Sequence, residues 1–267
     1  MRLIVAALFM ILFSVSAVAG EVIKGDWKFP SDIAVSNGKL YVVDGLNNRI
    51  AVYDLYGEHL TDLKVDSPYG IFVDNGLVYA VSQKGRLYVL DEYGELLKSF
   101  PLKGRPIDVV KLKDRLFVSN GEGNTVDVYT LDGKLVKRIG GKGTVPGNFV
   151  GVFLMDREKN LIYVVDSVNA RIQEFDEDGR FVRSFGVFGI EEGDLFRPKG
   201  ITVCNGYVVV SDGITGAVQL FDPYGGFEDV IAEGLYYPTA LSCYDGEVFV
   251  LEPLKNRVST FRFRGVK

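Results

Sequence analysis

One phrase returns along this chain and sets what it can fold into. It reads Asn47-Asn48-Arg49-Ile50-Ala51-Val52-Tyr53-Asp54-Leu55-Tyr56-Gly57, and again Asn169-Ala170-Arg171-Ile172-Gln173-Glu174-Phe175-Asp176-Glu177-Asp178-Gly179. Shorter echoes end at Asp91-Glu92-Tyr93-Gly94, Leu131-Asp132-Gly133 and Asp222-Pro223-Tyr224-Gly225. A second phrase precedes each copy: Pro30-Ser31-Asp32-Ile33, Pro68-Tyr69-Gly70-Ile71, Pro106-Ile107-Asp108-Val109 and Pro198-Lys199-Gly200-Ile201. Pro238-Thr239-Ala240-Leu241 is a looser copy, and Asn148-Phe149-Val150-Gly151-Val152 lacks the proline. The spacing of about 38 to 48 residues is that of propeller blades, each too small to bury its apolar faces alone. Six positions predict an all-β, six-bladed propeller.

Each unit reads as four antiparallel strands, in the first unit around residues 33–35, 40–43, 50–53 and 60–63. Asn37-Gly38 supplies the positive φ of a tight first hairpin. Gly57, Gly94, Gly133, Gly179 and Gly225 occupy the last turn of their units. The sixth unit ends without a fourth strand, whereas residues 21–27 have no unit of their own. Pairing of residues 22–27 with residues 258–263 therefore closes the ring and covers an exposed sheet edge.

Residues 1–19 read as a signal peptide: Arg2, an apolar run from Leu3 to Phe13, then the small-x-small signal Ala17-Val18-Ala19. Eleven apolar residues are too few to span a bilayer comfortably. Residues 20–267 form one propeller domain, exported to the periplasm or the cell exterior, without membrane insertion after cleavage. Loss of Arg2 leaves 29 basic against 35 acidic residues, a net charge of −6. That sign disfavours nucleic acid as a partner. The basic residues Lys111, Lys113 and Arg115 read as a solvated hairpin. His59, the single histidine, leaves no covalent-haem motif and no histidine pair for zinc.

The fourth and fifth units resemble the NHL-repeat family of β-propellers. The resemblance rests on Tyr163-Val164-Val165-Asp166-Ser167-Val168-Asn169-Ala170-Arg171-Ile172, on Phe185-Gly186, and on Gly193-Asp194-Leu195-Phe196-Arg197-Pro198-Lys199-Gly200-Ile201. It covers about residues 27–263 and implies the fold more than an activity, because the family has protein-binding, RNA-binding and lyase members. Lyase-like members need histidines on several blades, which one histidine cannot supply. Related lactonases hold a divalent metal in the channel with carboxylates and asparagine.

The second strand of each unit ends in a polar residue: Asp44, Ser82, Asn120, Asp166, Asp212 and Glu252. Arg49, Arg171 and Arg257 follow the acids of units one, four and six by five residues, the spacing of a bidentate pair across a turn. Ala217 stands in that place in unit five, so Asp212 is left unpaired there. Asp32 and Asp108 occupy a slot that is glycine at Gly70 and Gly200, and are expected to point to the funnel mouth. Either they cap local backbone, or with Asn120 and Asp212 they hold a polar ligand or a hard cation such as Ca or Mg. Among the loop aromatics Phe29, Phe149, Phe196, Tyr236 and Tyr237, the last two are expected to be the exposed pair for docking. Cys204 and Cys243 lie at nearly equivalent places in neighbouring units, and export favours a disulfide between them.

The favoured function is a non-catalytic, exported propeller that binds another protein or an envelope polymer through one loop face. One alternative is a lactonase-like metal hydrolase built on Asp32, Asp108, Asn120 and Asp212. Another is a structural subunit of an extracytoplasmic assembly, alongside redox proteins.

Overall fold

The computed structural model describes residues 18–263 as a ring of six sheets, each of four antiparallel strands. Blade one runs Pro30–Ser36, Lys39–Asp44, Arg49–Asp54 and His59–Lys64 from the axis outward. The innermost strands of the next five blades are Pro68–Asp74, Pro106–Leu112, Val152–Glu158, Pro198–Cys204 and Ala240–Tyr244. The burial of each strand follows its place. In Lys39–Asp44 every residue after the first is buried, because both faces of the sheet are covered by neighbouring blades. In the outermost strand His59–Lys64 only Leu63 is buried. Asn37 and Gly38 hold φ of 52° and 71° in the first hairpin, as the turn requires.

Five buried apolar clusters fill the gaps between blades. Tyr41, Val43 and Ile50 of blade one, for example, meet Ile71, Val78 and Ala80 of blade two. Among the described residues no helix is long and apolar enough to cross a membrane.

The ring closes within blade six. The strand Val18–Lys24 pairs antiparallel with Arg257–Arg262, with Val22 opposite Ser259, Ile23 opposite Val258 and Lys24 opposite Arg257. The strand ends three residues earlier than expected, and Trp27 instead leaves the ladder to pack against Tyr53 of blade one. Most of the expected signal peptide, residues 1–17, lies outside the described residues. Val18 and Ala19, which cleavage after Ala19 would remove, pair with Arg262 and Phe261. The register from Val22 to Lys24 would survive that cut.

Cys204 and Cys243 form a disulfide between the innermost strands of blades five and six, with a Cα–Cα distance of 5.5 Å. The basic residues of the blade-three hairpin are neutralised: Lys111 pairs with Asp74, Lys113 with Glu177 and Arg115 with Asp114.

Candidate functional site

Neighbouring blades are separate sheets, so each innermost strand turns one edge without a ladder partner towards the axis. Its N–H groups still need acceptors. Asp32 accepts from Ile33 N–H at 2.8 Å and from Ile71 N–H of blade two at 2.9 Å. Asp108 accepts from Val109 N–H and from Met155 N–H of blade four, both at 2.7 Å. Asp156 accepts from Arg157 N–H at 2.7 Å and Val203 N–H of blade five at 2.8 Å, with the Thr202 hydroxyl donating at 2.9 Å. Ser242 Oγ of blade six accepts from Val35 N–H of blade one at 2.9 Å.

These bonds form a circuit. Asp32 ties blades one and two, Asp108 three and four, Asp156 four and five, and Ser242 six and one. Lys111 Nζ donates to Asp74 at 2.8 Å between blades three and two, and the disulfide joins five to six. Every gap between innermost strands therefore carries at least one tie. The small residue at Gly70 belongs to the same design, since a Cβ there would sit 2.7 Å from the Asp108 Cα.

Asp32, Asp108, Asp156, Arg157, Thr202 and Ser242 line a cavity of about 280 Å³ on the axis. It fills the half of the channel nearest the first hairpins, not the funnel mouth expected for Asp32 and Asp108. Arg157 reaches from blade four to Asp74 of blade two at 3.1 Å, with its guanidinium 5.3 Å from the Phe72 ring. Burial pushes the Asp32 carboxyl up to about 7, with the Asp156 charge adding to it and the two N–H bonds opposing it. Burial also raises Asp108, reinforced by the charge of Asp32. Asp156 is raised mainly by burial as well. Such shifts mark carboxyls that resist ionising together.

The channel set differs from the expected one. Asn120 and Asp212 do not join Asp32 and Asp108, because the second strand of each blade lies one strand outward from the axis. Nor is Asp212 unsatisfied: Phe196 and Arg197 N–H donate to one oxygen, Ile214 and Thr215 N–H to the other. Asn120 Oδ1 accepts from Arg105, Glu122 and Gly123 N–H, and its amide donates to Asp127 and to the Lys103 carbonyl. Both residues brace loops. In blade four Met155 lies opposite Val164 as Ile33 lies opposite Val42, which puts Leu154 rather than Gly151 in the slot of Asp32 and Asp108. Asp156, two positions further on, is the channel carboxylate that the repeat comparison missed. Among the described residues no group of three or more His, Cys, Asp and Glu is placed to hold a metal ion.

The pairs Asp44–Arg49, Asp166–Arg171 and Glu252–Arg257 form, but through one guanidinium nitrogen each rather than in bidentate fashion. The other acid oxygen is taken by an entering loop: Lys28 N–H on Asp44, Val150 N–H on Asp166 and Tyr236 N–H on Glu252. Blade three keeps the network with its charges relocated, as Asn120 meets Asp127 and Arg138 binds Asp127 at 2.8 Å.

The loop face at the proline ends presents a different surface. Two residues beyond the polar end of each second strand stand Leu46, Lys84, Glu122, Val168, Ile214 and Leu254. The four apolar ones are 72, 48, 59 and 65% exposed and sit on consecutive blades, four, five, six and one. Phe29 is 57% and Tyr236 54% exposed beside them, whereas Phe149 is fully buried. Exposed apolar residues thus recur at this place on four of the six blades, an apolar crescent on the loop face. The repeat shows its positions, although the aromatic loop residues alone do not.

Residues 98–186 match a family described as a 6-bladed beta-propeller. The chain is a six-bladed β-propeller. Protein brain tumor of Drosophila melanogaster is 32% identical over 112 residues, 40% of this chain, and the match spans 11% of that protein's length. Among solved structures the propeller is similar to a streptogramin B lyase, with a TM-score of 0.69 and 14% identity over 93% of this chain and 98% of that one. The virginiamycin B lyase of Staphylococcus aureus gives 0.68 and 13%, over 92% and 99% of the two chains. At such identities the likeness is one of fold.

Proposed function

We propose that this propeller is an exported, non-catalytic binding protein whose loop face docks another protein. The apolar crescent of Leu46, Val168, Ile214 and Leu254 carries the reading. Large exposed apolar residues at one place on four neighbouring blades cost solubility unless a partner covers them. Tyr236 and Tyr237 stand on the same face, and aromatic residues are enriched in docking centres. The disulfide supports an oxidising compartment, in line with the signal-like start of the sequence. The channel carboxylates support the non-catalytic part, since each oxygen of Asp32 and Asp108 already accepts a backbone N–H.

A photo-crosslinking residue placed at position 46, 214 or 254 tests this in the native envelope. The expected result is one discrete protein adduct from all three positions and none from positions 37 and 245 in the hairpins of the opposite face. Adducts of equal yield from both faces, or from neither, overturn it. Metal analysis of the purified protein separates the lactonase-like alternative, which requires a stoichiometric divalent ion.

A further inference from the structure

The loop face holds a second cavity, of about 260 Å³, lined by residues of blades two to six. Its walls contain three cations, Arg105, Arg197 and Lys199, and no described acid. None of the three forms an ion pair with a described residue. In a protein with five more acids than bases, three unpaired cations around one small space are a local reversal of charge.

The cations are held there by the fold. Lys199 follows the proline of blade five, and its Nζ sits 4.3 Å from the centre of the Phe153 ring. Burial and the neighbouring Arg197 charge lower its proton affinity, which is the expected response of a cation lacking an anion. Asp212 acts on it in the opposite direction, but that carboxylate is occupied by four backbone N–H groups. Two glycines make room for the long side chains. A Cβ at Gly121 would lie 2.7 Å from an Arg105 guanidinium nitrogen, and one at Gly213 would lie 3.2 Å from Lys199 Cγ. Ser167, 3% exposed and lining the same cavity, has a hydroxyl with no hydrogen-bond partner. A buried unpaired hydroxyl costs free energy that a ligand oxygen would recover. The remaining walls, Tyr69, Ile107, Phe153, Val168, Ile214 and Tyr237, are apolar or aromatic.

We propose that this cavity binds a small organic dianion, a dicarboxylate or a phosphate monoester on an apolar body. Arg105, Arg197 and Lys199 neutralise its oxygens, Ser167 donates to it, and Tyr69 and Tyr237 flank its body. Guanidinium groups suit either head group because both present paired oxygens to the fork. The cavity shares Val168 and Ile214 with the docking crescent, whereas Leu46 and Leu254 lie outside it.

Calorimetric titration of the purified protein with phthalate, phenyl phosphate and neutral phthalamide tests it. Saturable 1:1 binding is expected for at least one anion and not for phthalamide, and the stronger anion identifies the head group. Affinity should fall at least about tenfold in Arg105→Ala and in Lys199→Met, and in about 0.5 M salt. Arg105 is exposed and methionine keeps the lysine stem over Phe153, so both variants should melt with the parent. Absence of saturation with both anions, or equal affinity in folded variants and parent, overturns the proposal. Crosslinking through position 254 reads the docking face separately.

Discussion

Trp27 Nε1–H donates to the Tyr53 hydroxyl at 3.0 Å, and the two rings meet edge to face with centroids 5.8 Å apart. Trp27 is 2% exposed and Tyr53 5%. The segment that completes blade six is thereby pinned to blade one three residues after its strand ends. Trp27→Ala should cost about 3–5 kcal/mol, from lost packing and a cavity. Trp27→Phe should cost less, chiefly the hydrogen bond. Deleting residues 20–28 should cost more than either, because it also bares the Arg257–Arg262 edge. Chemical denaturation of the three variants gives the order, and a deletion as stable as the parent would sink the closure described here.

Asp32 makes stability depend on pH. Its carboxyl titrates near 7 in the folded protein and near the ordinary carboxylate value when unfolded. The folded state therefore binds the extra proton between about pH 4 and pH 7. The contribution is full below pH 4 and is lost as pH rises through 7. Asp32→Asn should flatten this decline by roughly 2–4 kcal/mol. Its stability at low pH should be lower than the parent's, since the amide nitrogen faces one of two N–H donors. Denaturation midpoints at pH 5 and pH 8 separate the slope from the baseline. A parent no less stable at pH 8 than at pH 5, relative to the variant, would refute the assignment.

Arg171→Met should destabilise by roughly 3 kcal/mol, because Asp166 has no exposed side-chain area and would lose its cation. Asn169 and Gln173 still donate to the same oxygen, which limits the loss. Ala217→Arg in blade five should gain little, since Asp212 already accepts four N–H bonds. Urea unfolding of both variants checks the contrast; equal and opposite effects would show that the pairing alone sets the energy.

The disulfide closes a loop with a sequence separation of 39 residues. Cys204→Ala with Cys243→Ala should lower stability by up to about 4 kcal/mol in the chain-entropy view. Mass spectrometry of the denatured, non-reduced protein should find no alkylatable thiol. Two labelled thiols would contradict the bond.

The recurring phrases made the blades legible because each marks a backbone requirement. Gly at the last turn and Asn-Gly in the first hairpin are conformational needs that repeat with the fold. The acid–Arg spacing was legible for the same reason, as both residues bracket one turn. The channel was harder. Asp32 and Asp108 stood out because they replace glycine, but Asp156 sits where other blades carry Ala34, Phe72, Val110, Thr202 and Ser242, a position without a fixed type. Asn120 and Asp212 misled because chemical character alone cannot distinguish an axial strand from its neighbour. The cationic cavity was hidden because Arg105 and Arg197, which share the position before the blade proline, have Phe29, Ser67, Gly151 and Tyr237 as counterparts in the other blades, and they meet Lys199 only when the ring closes.

The seam of the ring runs inside a blade, which decides how the molecule yields. Separating two blades would expose two packed faces and break an axial tie. Peeling away Val18–Lys24 exposes one sheet edge, while the disulfide keeps blade six seated against blade five. The low-cost excursion is therefore release of this one terminal strand, with the other ladders intact. Two molecules in that open form present each other with the edge and the strand each has lost. Reciprocal exchange would then yield a linked dimer in which both propellers retain their native register.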